Sequence, residues 1–428
     1  MTPAPTWARL LPIVVVVLYL TGTVLLFAFG PWPWRVQNAT YLYTLVACIH
    51  VALLLGFVLA LVRRPGGYCA RITPESLVRV SVVANLVLLP FLSYSRSGSW
   101  VPDVIRGLTD PGGAYQASLM LTEGQGSVAM YLRILVAPLL YLAIPVGIYY
   151  WGRIGWGLRL GVIAVTLWTV ALMVAIGMRA YIADMLIFIP WLLLAAHISG
   201  VTRRSRAVWA GMIGFGVLAC AAFFAYFALS NVARAGGRVV VAVEPLSYER
   251  PDEGNALLTA VPEEWRQGVL GATLYFAGGY YVLDRCLSKP WKPTYGFGHS
   301  RFLVRNAVRF LRSEEFARRP YTAQVEREDG IDAWMWFSTI YPWIASDVSF
   351  PGVVPVVFLI GWAFGLAWSD CLRGTNPLAP AALSLLLMVV FWFPALNRVQ
   401  DGEAMVAFWA ILVAWLYTRR AVRVEAGA

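Results

Sequence analysis

Lysine, histidine, paired cysteine and charge in general are scarce in this sequence, and each scarcity closes a route. Its 428 residues hold two lysines, three histidines and five cysteines. The cysteines (Cys48, Cys69, Cys220, Cys286, Cys371) are scattered and no CxxC occurs, so neither a disulfide framework nor a zinc site is indicated. His50, His197 and His299 stand far apart in the chain, which argues against a metal centre. Only 13% of the residues are charged, where a soluble domain carries about a quarter. The phosphate-cradling P-loop signature is absent, so nothing points to ATP-driven chemistry. A net charge of +11 raises the question of nucleic acid, but the surplus arginines sit in short loops beside apolar runs, where topology explains them.

Apolar length is what the chain has in abundance. Hydrophobic residues make up 59% of it and the mean hydropathy is +0.66. A membrane crossing needs about 20 apolar residues. The stretches that qualify are Leu10–Gly30, Thr40–Val62, Leu77–Tyr94, Ala129–Trp151 and Leu158–Gly177, then Ala180–Ser199, Ala207–Leu229, Phe350–Ser369, Leu378–Leu396 and Gly402–Tyr417. The first has no small-residue cleavage site after it and reads as an anchor, not a signal peptide. No fixed-period repeat is visible. The predicted class is an all-α polytopic membrane protein with about ten transmembrane helices and a large extracytoplasmic loop. Its parts are a bundle of about seven helices over 1–229, the loop over 230–349, about three more spans over 350–417 and a cytoplasmic tail over 418–428.

Arginines set the orientation. With the N-terminus inside, the cytoplasmic loops hold Arg63, Arg64, Arg71, Arg153, the Arg203–Arg206 cluster, Arg373, Arg419, Arg420 and Arg423. The short outer loops hold only Arg35, Arg96, Arg106, Arg179 and Arg398, which is the positive-inside bias. Both termini are then cytoplasmic and the 230–349 loop faces the periplasm or cell exterior. Two apolar stretches inside that loop, Val269–Leu283 and Ala333–Ala345, read as partly immersed or re-entrant pieces. If one of them crosses, every later loop changes side.

The loop holds fourteen of the 23 acidic and fourteen of the 34 basic residues. Within it, Gly298–Arg312 reads as an amphipathic helix with Ser300 as N-cap. Arg301, Arg305, Arg309 and Arg312 fall within an arc of about 80°, and Phe302, Leu303, Ala307, Phe310 and Leu311 take the other side. Such a stripe suits an anionic partner. The plainer alternative is a helix lying on the membrane with its arginines among the headgroups.

Charges that border apolar runs are informative, since each costs at least ~2.5 kcal/mol at mid-membrane. Arg179 stands in a two-residue link between spans, and Asp184, little more than a turn further on, is placed to pair with it. Arg398, Asp401 and Glu403 crowd the outer end of the last helix pair. Asp347 directly precedes a span, where partial desolvation raises a carboxylate toward general-base range. His299 is the outer side's own histidine, while His50 and His197 lie in or beside spans and read as structural. Asp347, His299 and Asp401 are the catalytic candidates, weighed against solvated turn residues.

The layout resembles the Wzy-like oligosaccharide repeat-unit polymerases of O-antigen and exopolysaccharide synthesis, over roughly 158–396. Gly177-Met178-Arg179 is similar to their Gly-x-Arg turn opening a span. Thr339-Ile-Tyr341, Asp347 and Gly352, followed by Gly361 and Gly365, are similar to the end of their large loop, and Gly296–Phe310 to the loop helix before it. The resemblance implies a membrane-embedded glycosyltransferase of the GT-C-like, lipid-donor type. Its donor and acceptor would be undecaprenyl-pyrophosphate-linked oligosaccharides, with the bilayer and a chain-length regulator as partners and no cofactor. Arg179, Arg398 and part of the stripe (Arg301, Arg305, Arg309) are then the clamp for the donor pyrophosphate, since guanidinium grips phosphate bidentately. Alanine at Arg179 or Arg398 should abolish polymer, whereas alanine at Arg203 or Arg419 on the inner side should do little. A metal is not expected; a carboxylate site, if present, would be Asp329 with Asp332. O-antigen ligases share the layout and transfer to a lipid core instead. A flippase for lipid-linked oligosaccharide, or a scaffolding subunit, is the alternative from another class, though transporters usually show repeats and midplane charges.

Overall fold

The computed structural model describes residues 5–62, 72–122, 128–202, 205–234, 251–331 and 338–419, and the regular structure among them is helical throughout. The first helices are α1 (Thr6–Phe29), α2 (Ala39–Val62), α3 (Pro74–Ser97), α4 (Val104–Thr109), α5 (Pro111–Thr122), α6 (Val128–Leu140) and α7 (Ala143–Tyr149). Then come α8 (Trp156–Ala175), α9 (Ala180–Ile198), α10 (Arg206–Arg234), α11 (Ala256–Thr259), α12 (Glu263–Leu287) and α13 (Arg301–Leu311). The chain closes with α14 (Glu314–Ala317), α15 (Tyr321–Asp329), α16 (Tyr341–Arg373), α17 (Ala379–Phe391) and α18 (Gly402–Thr418).

Eight stretches are long and apolar enough to cross a membrane: α1, α2, α3, Tyr131–Tyr149 across α6 and α7, α8, α9, Arg206–Ala228 of α10, and α16. The other two predicted spans form shorter helices, 13 residues in α17 and 17 in α18. A helix of that first length rises only about 20 Å. Every residue of α17 from Ala379 to Val390 is buried, against α16, α9, α18, α7 and α1. Its apolarity answers to a protein interior, and an apolar run alone does not tell that interior from lipid. The opposite case is α10, whose span window has no buried residues and so presents its side chains outward.

The most intimate pairing is α2 with α16. At Gly361 an added Cβ would lie 3.0 Å from the Leu53 backbone carbon, so glycine is what allows the two backbones to touch there. The helix α16 breaks at Ser349, where φ is 63° and ψ 167°, in a region that favours glycine. Pro351 follows within the next turn. The break separates a leading segment, Tyr341 to Val348, from the long run beginning at Phe350.

Val269–Leu283 is the middle of α12, 25 residues long, which packs against α1, α2, α10, α15 and α16 with both ends at one end of the bundle: Gly268 abuts Ala228 near the end of α10, and Asp284 meets the α1–α2 link. Polar ties fix its register. Trp32 Nε1 donates to Thr273 Oγ1 at 3.0 Å, and the Thr23 and Tyr280 hydroxyls meet at 3.0 Å. Asp284 accepts from the backbone N–H of Gln37 and Asn38, both at 2.8 Å, so a carboxylate from α12 binds two amides just ahead of α2. Of the Ala333–Ala345 stretch, residues 332–337 lie outside the described residues, and Tyr341 onward is the first turn of α16.

Candidate functional site

Several helix ends meet at one end of the bundle: the last turn of α3, the starts of α6, α9 and α18, and the 392–401 turns after α17. Beneath α13 they enclose a cavity of about 1090 Å³. Its chemistry divides in two. One part is lined by Arg96, Arg133, Arg179, Arg301, Arg305, Arg309 and Arg398, with Asp401 and Glu403. The other runs between α1, α9, α10, α12 and α17 and is lined by aliphatic and aromatic side chains. Tyr19 stacks on Phe391 at 4.3 Å there, and Tyr275 meets both Phe227 and Trp392 edge-on at 5.6 Å. This groove reaches the outside of the bundle, because its lining residues Val15 and Phe224 are exposed.

The five arginines expected to grip an anion all line this cavity. Arg179 donates from Nη1 to the Phe227 carbonyl at 3.0 Å, with its guanidinium 4.6 Å above the Phe227 ring. Arg398 ion-pairs with Asp184, lies 5.0 Å above the Tyr181 ring, and has an Nε with no hydrogen-bond partner. Asp184 Oδ1 accepts a second bond from Trp392 Nε1 at 2.7 Å. The expected Asp184–Arg179 pair therefore gives way to Asp184–Arg398. The reason is helical geometry: a residue five positions on is turned about 140° round the axis, so Asp184 faces the 392–401 turn instead of its own N-terminus.

In α13 the N-cap is Ser300, whose Oγ accepts from Leu303 N–H and also donates to the Gln400 carbonyl at 2.9 Å. The stripe splits on folding. Arg301 lies 5.7 Å over the Trp343 ring and Arg309 reaches the Tyr131 hydroxyl at 3.5 Å. Burial lowers the Arg305 pKa, partly offset by the nearby Asp401 carboxylate. Arg312 departs from the stripe as the C-cap, at φ 50°, and is exposed. The expected apolar face is also revised: Val304 and Ala307 are buried, while Phe310 is 81% exposed and Leu311 60%. An ideal wheel assigns those two to the covered side, but among the described residues nothing covers them.

Asp347 and His299 come together, but neither lines the cavity. Asp347 Oδ1 accepts from Thr294 Oγ1 at 2.5 Å and from the Gly296 and Gly298 N–H groups at 2.8 Å. Its Oδ2 accepts from His299 N–H at 3.0 Å and meets His299 Nδ1 at 3.1 Å. With that many donors around it, the carboxylate anchors the 294–299 turn, and it does so away from the cavity wall. Gly298 is required in that turn: an added Cβ would sit 2.7 Å from Ser346 Cβ and 3.1 Å from Asp347 Oδ1. The anchoring is relayed onward. The His299 carbonyl accepts from Asn397 Nδ2 at 2.7 Å, and the Gln400 carbonyl from Phe302 N–H at 3.1 Å. Asp347 thus positions α13 and the turn that carries Arg398.

Asp401 lines the cavity. It is the N-cap residue of α18, yet its side chain makes no capping bond. Of the fallback carboxylate pair, Asp329 lies 2.8 Å from Lys289 Nζ, and Asp332 lies outside the described residues. Arg96, Arg133 and Glu403 complete the charged wall and were not among the expected site residues. Arg133 could have been found, since it is a charge inside an apolar run, the signal that singled out Arg179. The aromatic wall offered no such signal, because rings at helical spacing also build cores.

Fold and cavity together define a polytopic helical membrane protein with an arginine-lined chamber at one end of its bundle. No family model, curated protein or solved structure matches the chain.

Proposed function

We propose that the protein is a membrane-embedded glycosyltransferase that polymerises undecaprenyl-pyrophosphate-linked oligosaccharide repeat units into a surface polysaccharide on the periplasmic face of the inner membrane. One observation carries the reading: a single cavity joins a cluster of arginines to an apolar groove that reaches the bundle's outer surface. A polyprenyl pyrophosphate has the same division, two phosphates at one end and a hydrocarbon tail at the other. The resemblance to the Wzy-like, GT-C-type enzymes over roughly 158–396 supports it independently.

In this reading the tail lies along Tyr19, Phe224, Phe276 and Phe391, and Arg179, Arg398 and the α13 arginines hold the phosphates. The acceptor sugar hydroxyl attacks the anomeric carbon of the donor. The carbon–oxygen bond to pyrophosphate breaks, its electron pair leaves with the phosphate, and guanidinium groups stabilise that growing charge. The hydroxyl proton passes to Asp401, the cavity carboxylate whose side chain is not spent on capping. The orientation follows from the arginine bias of the loops.

Gene deletion followed by gel analysis of surface glycans tests this. Loss of the polymer ladder, with single repeat units still attached to the surface, is the expected result. Loss of every repeat unit from the lipid core would make the protein a ligase, and lipid-linked units accumulating on the inner leaflet would make it a flippase.

A further inference from the structure

Two of the unexpected arginines share a carboxylate in an unusual way. Arg96 comes from the last turn of α3, Arg133 from α6 and Glu403 from the first turn of α18. Glu403 Oε1 ion-pairs with Arg133 Nη2 and lies 3.7 Å from Arg96 Nη2. The side chains of Arg96, Arg133 and Glu403 are 15%, 19% and 18% exposed. All three line the main cavity, and all three also line a smaller one of about 130 Å³ behind it.

The group is short of acceptors. A guanidinium carries five N–H donors and a carboxylate one negative charge, so two arginines on one glutamate leave a surplus positive charge. The surplus is visible in the bonds. Arg96 Nη1 turns to the Met178 sulfur at 3.7 Å, a weak acceptor. Arg96 Nε and Arg133 Nε are buried with no hydrogen-bond partner. Buried unpaired donors are costly, and charged ones more so. Met178 is next to Arg179, so this wall adjoins the first group of arginines.

We propose that Arg96 and Arg133 form a second anion subsite, which Glu403 fills in the ligand-free chain and yields when a phosphoryl group enters. The inference rests on reading the cavity as a site for polyprenyl pyrophosphate. A phosphoryl group brings more acceptors and more charge than a carboxylate and takes a bidentate guanidinium contact. Glu403, once displaced, remains at the N-terminus of α18, where the helix dipole favours its charge. The glutamate therefore sets a threshold: a weakly charged anion does not dislodge it, and a phosphoryl group does.

The test is calorimetric titration of the purified full-length protein in detergent, with inorganic pyrophosphate and with geranylgeranyl pyrophosphate as separate probes. Glu403→Gln should bind tighter by about tenfold, the gain expected when one charge-assisted contact becomes available to ligand. Adding Arg133→Gln should erase the gain, and adding Arg179→Gln should leave it. A gain with both probes assigns the subsite to any phosphoryl group, and a gain with the lipid probe alone assigns it to a lipid headgroup. Unchanged or weaker binding of both probes by a Glu403→Gln protein of normal unfolding temperature overturns the proposal. If Glu403→Gln does not fold, Arg96→Gln decides: weaker pyrophosphate binding supports the subsite and unchanged binding overturns it. Tighter binding in Glu403→Gln, alongside an intact polymer ladder in the deletion strain, would keep the subsite and refute the polymerase reading.

Discussion

Two buried carboxylates in this protein are each held by one arginine and one tryptophan, at opposite ends of α18. Asp184 pairs with Arg398 and accepts from Trp392 Nε1 at 2.7 Å. Asp370 accepts from Arg419 Nε at 2.8 Å and from Trp415 Nε1 at 3.0 Å. Their burial is also alike, with Asp184 2% and Asp370 1% exposed, and their arginines 9% and 13%. The 17-residue α18 lies between Arg398 and Arg419, a rise of about 25 Å. What differs is the space beside them. Arg398 faces the large cavity and Asp184 the small one behind it, whereas neither Asp370 nor Arg419 lines either. A carboxylate–guanidinium–indole group is therefore not in itself a sign of function; an open volume against the guanidinium is.

The comparison is broken most directly at the closed pair. Arg419→Ala removes the ion-pair partner of buried Asp370 and leaves only the charge of Arg373 near it, and breaking a buried pair costs about 3–5 kcal/mol. We expect a markedly lower unfolding temperature and less protein in the membrane, with normal polymer per folded molecule. This revises the sequence-based expectation that Arg419, as an inner-side arginine, does little. Replacing both partners by apolar residues, Asp370→Leu with Arg419→Met, should restore much of the stability, as buried pairs often allow.

At the open pair the ranking reverses. Arg398→Ala should reduce turnover by roughly ten- to a hundredfold, the loss of one guanidinium–phosphate contact. Its effect on unfolding temperature should be smaller than that of Arg419→Ala, because water entering the cavities can solvate Asp184. Equal destabilisation by the two variants, with equal polymer per folded molecule, would erase the distinction. Arg179→Lys should cost less than Arg398→Ala, since the charge stays and only the fork is lost. The smallest effect belongs to Asp347→Asn. The amide keeps its oxygen on the Gly296 and Gly298 N–H groups and turns its NH2 toward the His299 N–H, which loosens the turn and displaces α13, so pyrophosphate should bind several-fold more weakly, about 1 kcal/mol. Asp401→Asn should do the opposite, keeping the binding and losing the turnover.

Much of this was legible in the chain. The ten apolar runs all form helices, Ser300 caps α13, and the five flagged arginines do converge on one cavity. Sequence could place them because a charge beside an apolar run has few reasons to be there. It could not say which carboxylate each would meet. Asp184 was matched to its neighbour Arg179, while the partner that folding supplies is 214 positions away. The border of a span says nothing of what surrounds Asp347, which is backbone N–H groups of a turn some fifty residues earlier. That α17 is walled in by other helices could not be read either, because a buried core helix and a lipid-facing one share a composition.

The central claim is that a polyprenyl pyrophosphate lies in the cavity with its tail along α10, and a native thiol reports on it. Cys220 lines the apolar groove, and Cys48 on α2 is exposed elsewhere on the bundle. The measurement is the rate of maleimide labelling of each cysteine in detergent, with and without geranylgeranyl pyrophosphate at ten times its Kd. Occupancy of the groove predicts labelling of Cys220 about tenfold slower with Cys48 unchanged. Equal rates at Cys220 with and without the lipid would contradict the account.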